Sequence, residues 1–255
     1  MTTHDKLAEA LQAPKSTGRS RRWFQLSLRM ALVVLTLGCV WLGVLTKRAR
    51  DQRAAVARIE QLGGRIDYGW EYEWADRGQA RPNAVRPGWP WLHRAVGPEL
   101  FQEVFFVRLY KSRATDADLR LIGKLRGVRM LSLSSPSVSD VGLHELRSWR
   151  LIHLDLDRCQ ITDEGFRHLR ESAELKQLES LDLSGTAVGD KTAQLVSEFP
   201  QLQHLDLSAT RVTSQGVIHL AKLRNLRDLS FSNTAVDDAA VEALKQALPQ
   251  CEIQR

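Results

Sequence analysis

The stretch LDLSATRVTSQGVIHL, residues 205–220, decides the fold because closely similar stretches recur before it. LDLDRCQITDEGFRHL occupies residues 154–169, and LDLSGTAVGDKTAQLV occupies residues 181–196. Each copy begins with a hydrophobic–x–hydrophobic unit, and such self-similarity at a period of about 24 residues is typical of a repeat architecture. Six units are clear and a seventh is degenerate. Their first residues, which serve as the reference position of each repeat and are here called its anchor, are Val107, Leu131, Leu154, Leu181, Leu205, Leu229 and Cys251.

Other positions keep the same frame, so each repeat is predicted to be a strand, a turn and a helix. The hydrophobic–x–hydrophobic unit predicts a short strand with two inward side chains. The Thr/Ser-Asp pair that follows it suits a turn and a helix N-cap. Stacked repeats would bury one continuous core, with a parallel sheet on the concave side and helices on the convex side. The aspartate position, nine residues after each anchor, holds Asp116, Asp140, Asp163, Asp190, Ser214 and Asp238.

These segments resemble leucine-rich repeats of the ribonuclease-inhibitor-like or cysteine-containing type, notably ITDEGFRHL with LESLDLSGT and LQHLDLSAT. The full layout, with RWFQLSLRMALVVL, IEQLGGRIDY and ALPQCEI, is similar to bacterial membrane-anchored leucine-rich-repeat proteins. The resemblance implies an α/β solenoid that acts as a protein-recognition scaffold without catalytic residues. It also implies an inward polar residue five positions after each anchor, where Cys159 and several threonines stand. Pro136, Thr192 and an insertion after Arg170 depart from the pattern.

An apolar run of 17 residues without a charge, residues 30–46, precedes the repeats. As a helix it would span about 25 Å, close to the hydrocarbon thickness of a bilayer. We predict a transmembrane helix at residues 23–46 behind a polar basic tail at residues 1–22. A cleaved signal peptide is the alternative, because Ala55-Val56-Ala57 has the small-x-small form, although four basic residues separate it from the apolar run.

The expected location is a single-pass membrane protein with the repeat domain on the extracytoplasmic side. The basic residues on the two flanks of the apolar run nearly balance, so the positive-inside rule favours this orientation only slightly. Residues 1–58 hold 11 Lys+Arg and 3 Asp+Glu, whereas residues 59–255 hold 25 and 27. The basic charge therefore belongs to the N-terminal part, and we expect no nucleic-acid partner.

Residues 47–104 are predicted to link the anchor to the repeat domain at residues 105–255. Apolar residues at helical spacing predict a juxtamembrane helix at 48–62 that stops at Gly63-Gly64. Alternating aromatic and polar residues from Ile66 to Trp74 predict one strand with an aromatic face, which we expect to pack on a neighbouring element; a ligand platform is the alternative. Residues 91–103 are expected to form short helical turns that close the first end of the array. About six repeats and a C-terminal cap complete the chain.

Strand residues next to the inward leucines are predicted to point out from the concave face, because side chains alternate along a strand. Asp155, Asp182 and Asp206 would then form an acidic stripe on adjacent strands, with Arg108 and Arg158 near one end. A basic protein partner fits this surface better than Ca²⁺, which needs six or more converging oxygens. The candidate protein-binding residues are His153, Asp155, Asp157, Asp182, Ser184, His204, Asp206, Ser208, Asp228 and Ser230.

No catalytic, metal or cofactor motif is found in the sequence: HExxH, GxSxG, a phosphate-binding loop and paired CxxC are all missing. We therefore predict no enzymatic activity, no cofactor and no metal. The favoured function is a membrane-anchored scaffold that binds a protein partner through the concave face. The alternative is a structural, self-associating protein of the cell envelope.

Overall fold

The computed structural model describes residues 28–73, 79–80, 102–170 and 173–255. The predicted basic tail at 1–22, the first residues of the predicted transmembrane helix and residues 91–101 lie outside the described residues. The chain falls into two units, Met1–Leu45 and Thr46–Arg255.

Helix α1 spans Leu28–Gln61, so the apolar run and the predicted juxtamembrane helix are parts of one helix. From residue 30 to residue 44 its side chains are exposed, among them Leu35, Leu37 and Trp41, each more than 60% exposed. A candidate membrane span begins at Met30, with a mean hydropathy of 1.9 and none of the tested window buried. A membrane anchor and a signal sequence both fit these properties.

The second unit contains an eight-stranded sheet in which the last seven strands are parallel and follow the order of the sequence. The first strand pairs antiparallel with the second at the start of this sheet, and two short strands pair in a separate ribbon. The predicted solenoid is confirmed. The strands are β1 Arg65–Tyr68, β2 Tyr72–Glu73, β3 Gln79–Ala80, β4 Val104–Leu109, β5 Met130–Leu133, β6 His153–Asp155, β7 Ser180–Asp182, β8 His204–Asp206, β9 Asp228–Ser230 and β10 Glu252–Gln254.

The register confirms the predicted anchors, since Val107, Leu131, Leu154, Leu181, Leu205 and Leu229 stand opposite one another on successive strands. The seventh anchor was wrong. Leu229 pairs with Ile253 and not with Cys251. The last repeat therefore has the ordinary spacing of 24 residues, and Gln254 takes the position next to the anchor. Because the error is two residues, the same side chains still point outward.

Helices and 3-10 turns lie between the strands and close one continuous core with the inward leucines, which are almost fully buried. The helices are α2 Asp116–Ile122, α3 Asp140–Leu143, α4 Asp163–Arg170, α5 Asp190–Val196, α6 Ser214–Val217 and α7 Asp238–Ala247. Ser139 and Thr213 accept hydrogen bonds from the backbone N–H of Val141 and Gln215, as the N-cap prediction requires.

The aspartates that follow the N-caps bond across repeats, a role that the sequence did not reveal. Asp140 accepts from the N–H and the hydroxyl of Thr162 in the next repeat, at 2.9 and 2.6 Å. Asp190 accepts in the same way from Thr213, at 2.7 Å in both bonds. Each of these carboxylates therefore connects the turn of one repeat to the turn of the next through hydrogen bonds, which favour this arrangement of stacked repeats.

The inward polar position also behaves as the resemblance implies. The hydroxyls of Thr186, Thr210 and Thr234 each donate to a carbonyl three residues earlier, at 2.6 Å. In the repeat that has Pro136, Ser135 takes over and donates to the carbonyl of Ala114 at 2.7 Å. Cys159 is buried and approaches the carbonyl of Leu133 at 3.5 Å, so it is a structural residue.

The prediction of one aromatic strand of nine residues, from Ile66 to Trp74, was wrong. Strand β1 ends at Tyr68, and a 3-10 turn at Gly69–Glu71 interrupts the alternation before β2. Glu71 accepts from the N–H of Tyr68 at 3.0 Å, which helps the chain to turn here. Ile66 and Tyr68 pack against the repeat core and do not form an open aromatic face.

Candidate protein-binding surface

All ten predicted binding residues lie on the outward face of the sheet, here called the concave face, or directly after its strands. They alternate with leucines that are 0–3% exposed, such as Leu154, Leu181 and Leu205. His204 and Asp228 are exposed, and the other eight are half-buried. The alternation of strand side chains therefore places the predicted residues as expected.

The predicted acidic stripe is present, because Asp155 stands opposite Asp182, and Asp182 stands opposite Asp206. Neighbouring strands are about 4.8 Å apart, so three carboxylates follow one another across three strands. Each aspartate accepts from the backbone N–H two residues later, at 3.0, 2.8 and 2.7 Å. These bonds fix the carboxylates in the same orientation.

A groove of about 280 Å³ lies over this stripe. Seven of the predicted residues line it, whereas Asp157, Ser184 and Ser208 stand beyond it at the strand ends. Serine hydroxyls form hydrogen bonds with all three of these residues. The hydroxyl of Ser184 donates to Asp157 at 3.3 Å, and the hydroxyls of Ser208 and Ser230 share a hydrogen bond of 2.7 Å. Sequence reasoning missed Gln254 as a lining residue, because its repeat was aligned two residues out of register.

Two histidines flank the acidic stripe in different environments. Nδ1 of His204 lies 2.5 Å from Oδ2 of Asp228 on the next strand. The ring of His153 meets Phe106 edge-on, with the ring centres 6.3 Å apart. Burial lowers the pKa of His153, which therefore favours its neutral form near pH 7.

Asp182, the central aspartate of the stripe, is destabilised in its charged form. Burial raises the pKa of Asp182, and the charges of Asp155 and Asp206 raise it further, while bonds from Ser184 act in the opposite direction. In the described part of the chain, no basic side chain forms an ion pair with any of these three aspartates. A cation from outside would relieve their repulsion.

Basic and aromatic side chains lie on the β4 side of the acidic stripe and next to its first strand, β6. Arg108 binds Asp67 of β1 at 2.8 Å and lies 4.2 Å from the centre of the Phe106 ring. Arg158 stands beside Asp157, with 3.5 Å between Nε and Oδ1, and its side chain is largely exposed. Both arginines thus lie near the predicted end of the stripe, but Arg108 is held by a residue outside the repeats.

Among the described residues, no group of three or more His, Cys, Asp or Glu is arranged to hold a metal ion. The carboxylate oxygens of the stripe accept from serines and backbone N–H groups; for example, Asp155 also accepts from Ser132 at 2.6 Å. The cysteines of the second unit are poor nucleophiles, since burial raises the pKa of Cys159 and of Cys251 to about 11.

A family model described as Leucine Rich repeat matches residues 151–167, which hold strand β6 and the first turns of α4. No curated protein matches the chain significantly. Among solved structures, an internalin (inlF) from Listeria monocytogenes is 18% identical with a TM-score of 0.42, over 57% of this chain and 45% of that one. A leucine-rich-repeat protein from Leptospira interrogans is also 18% identical, with a TM-score of 0.37, over 55% of this chain and 40% of that one.

The chain thus spans less than half the length of either solved structure. The repeats of this chain keep a common frame, and that frame builds a parallel sheet with one strand per repeat. The matched Leucine Rich repeat lies inside the frame. The chain therefore has the fold of a leucine-rich-repeat solenoid.

Proposed function

We propose that this protein is a membrane-anchored scaffold that binds a basic surface of a protein partner through its concave face. Leucine-rich repeats generally serve protein–protein interaction, which supports a binding role over an enzymatic one. The regular spread of aspartates gives no single acid and base for proton transfer, so we propose no catalytic activity.

The observation that carries the proposal is the unneutralised row of Asp155, Asp182 and Asp206. The three carboxylates are half-buried and aligned, and among the described residues they accept hydrogen bonds from backbone N–H groups and serine hydroxyls, which are neutral donors. Like charges held together in this way destabilise the free protein, and lysine or arginine from a partner would offset that repulsion. A basic patch on another protein therefore has the complementary chemistry.

Helix α1 supports the membrane part of the proposal. Its first half is apolar and exposed, and basic residues such as Arg48 and Arg50 follow the apolar run. We propose an anchor whose N-terminus faces the cytoplasm, with the repeats outside. Protease treatment of intact cells tests this orientation: repeats on the outside are digested, whereas repeats on the inside survive until the cells are lysed.

The concave face is tested by affinity capture with the full chain in detergent. The test variant changes Asp155, Asp182 and Asp206 to Asn, which removes three charges and keeps the acceptor oxygen for each backbone N–H. The matched control removes the same number of charges from the helical side, as Glu145→Gln, Glu164→Gln and Glu242→Gln. Their ion pairs with surface arginines and lysine contribute little to stability.

A protein that is enriched by the wild type and by the control, and lost with the concave-face variant, is the expected result. Equal enrichment by all three chains would remove the acidic stripe from the binding surface. Concentration-dependent assembly of the purified chain, without an enriched partner, would instead favour the structural, self-associating alternative.

A further inference from the structure

The C-terminal part of helix α1 belongs to the repeat array and is more than a connection to it. Ala55 and Ile59 are 0% exposed and are members of the same hydrophobic core as the repeat leucines. Val56 of the same helix and Leu62, just after its end, pack against that core. These positions repeat at helical spacing, so one face of residues 46–61 covers the first end of the array.

Polar contacts fix the same segment in place. Nε of Arg58 donates to Oδ1 of Asp118 in α2 at 2.7 Å, and the Asp118 side chain is only 8% exposed. The Arg58 guanidinium holds the pKa of Asp118 below its ordinary value, against the effect of burial. The side-chain amide of Gln52 donates to the carbonyl of Gln102, just before β4, at 2.7 Å.

Two glycines at the C-terminal end of α1 let the chain turn and pass close to β4. Gly63 has φ of 75°, and the N–H groups of Gly63 and Gly64 close the helix end on the carbonyls of Glu60 and Ile59. A Cβ on Gly64 would lie 2.7 Å from the carbonyl oxygen of Arg108, so only glycine lets the chain pass so close to β4. Strand β1 follows at once and pairs with β4.

We propose that residues 46–61 are a cap on which the repeat array depends, so that a proteolytic cut after Ala57 destroys the array and does not release it as a folded domain. The small-x-small sequence Ala55-Val56-Ala57 lies inside this cap. A cut there would remove Ala49 and Ala55 from their buried positions and leave four helical residues, too few to hold a helix. Retention of residues 46–61 is then a condition for the folded state, whether or not the concave face binds a partner.

The test compares aspartate substitutions on two faces of this helix in the full chain in detergent. Ala55→Asp buries a carboxylate, whereas Ala54→Asp and Ala57→Asp make the same change at exposed positions. Unfolding is followed by thiol labelling of the buried Cys159 during heating, quantified by mass spectrometry on the peptide that contains Cys159, because Cys39 and Cys251 are also free thiols. Ala55→Asp should lower the midpoint by about 5 °C or more, while both controls stay near the wild type. Equal midpoints for all three variants would overturn the proposal.

Hydrogen exchange on the unmodified full chain gives a second readout if Ala55→Asp does not fold at all. The amides of residues 55–61 should be protected to the same degree as those of β4, because the cap and the first strand would open together. Exchange of residues 55–61 that is much faster than exchange of β4 would overturn the proposal, since the segment would then open without the array.

Discussion

The carboxylate of Asp140 lies so close to Gly165 of the next repeat that a Cβ on this glycine would collide with Oδ1 of Asp140. The same relationship joins Asp116 to Gly142 and Asp190 to Gly216. Where the repeat has Thr192 in place of glycine, the hydroxyl of Thr192 donates to Asp163 at 2.6 Å. The aspartate of one repeat and the small residue of the next are therefore one structural feature.

Replacing Gly165 with Ala is expected to destabilise the array by about 1–3 kcal/mol, because the new methyl group forces Asp140 away from its two bonds with Thr162. The midpoint of Cys159 labelling should fall accordingly. Gly69→Ala is the control, since the nearest atom to its new Cβ would be 3.9 Å away. The relationship would be refuted by a Gly165→Ala chain that melts at the same temperature as the control.

Leu205→Asp is expected to abolish the cooperative melt, because Leu205 is 3% exposed at an inward strand position. An unpaired charge in such a place costs several kcal/mol, which is a large part of the stability of a domain. Gln201→Asp introduces the same charge at an exposed position four residues earlier and should melt normally. A cooperative melt of Leu205→Asp near the wild-type temperature would contradict the described core.

Asp182→Asn is expected to stabilise the protein at neutral pH, by about 1–3 °C in the midpoint. Because the pKa of Asp182 is raised in the folded state, the stability it contributes is present below its ordinary value of 3.8 and is lost as pH rises through the raised value. Asparagine removes that loss and still accepts from the N–H of Ser184. The gain should therefore shrink towards pH 3.8. A gain that is the same at both pH values, or a loss at pH 7, would speak against the electrostatic cause.

The repeat frame could be predicted from the sequence because each repeat copies the same constraints. Leu131, Leu154 and Leu181 meet one another because every anchor begins the same strand–turn–helix unit. The residues of the concave face could be predicted in the same way. Side chains alternate along a strand, so the neighbours of the buried leucines must point to the other face. Ile253 was missed because Cys251 offers a second apolar residue two positions earlier, and only strand pairing distinguishes them.

Features that depend on tertiary contacts were not visible in the sequence. Lys111, Arg158, Ala209 and Asn233 have positive φ at the same repeat position, although their residue types share no signal. Gly185 at the equivalent place, and Asn233 among these four, are the residue types that favour this conformation. The partnership of Arg58 with Asp118 and of Arg108 with Asp67 joins segments 60 and 41 residues apart, and no local pattern predicts it.

The most direct test of the central claim is the affinity of a captured partner for the full chain in detergent, at about 50 and about 500 mM salt. We expect the wild type and the helical-side control to bind equally, with an affinity that falls as salt rises. The variant with Asn at positions 155, 182 and 206 should bind at least tenfold more weakly at low salt and lose most of the salt dependence. Equal affinities and equal salt dependence for all three chains would contradict recognition through the acidic stripe.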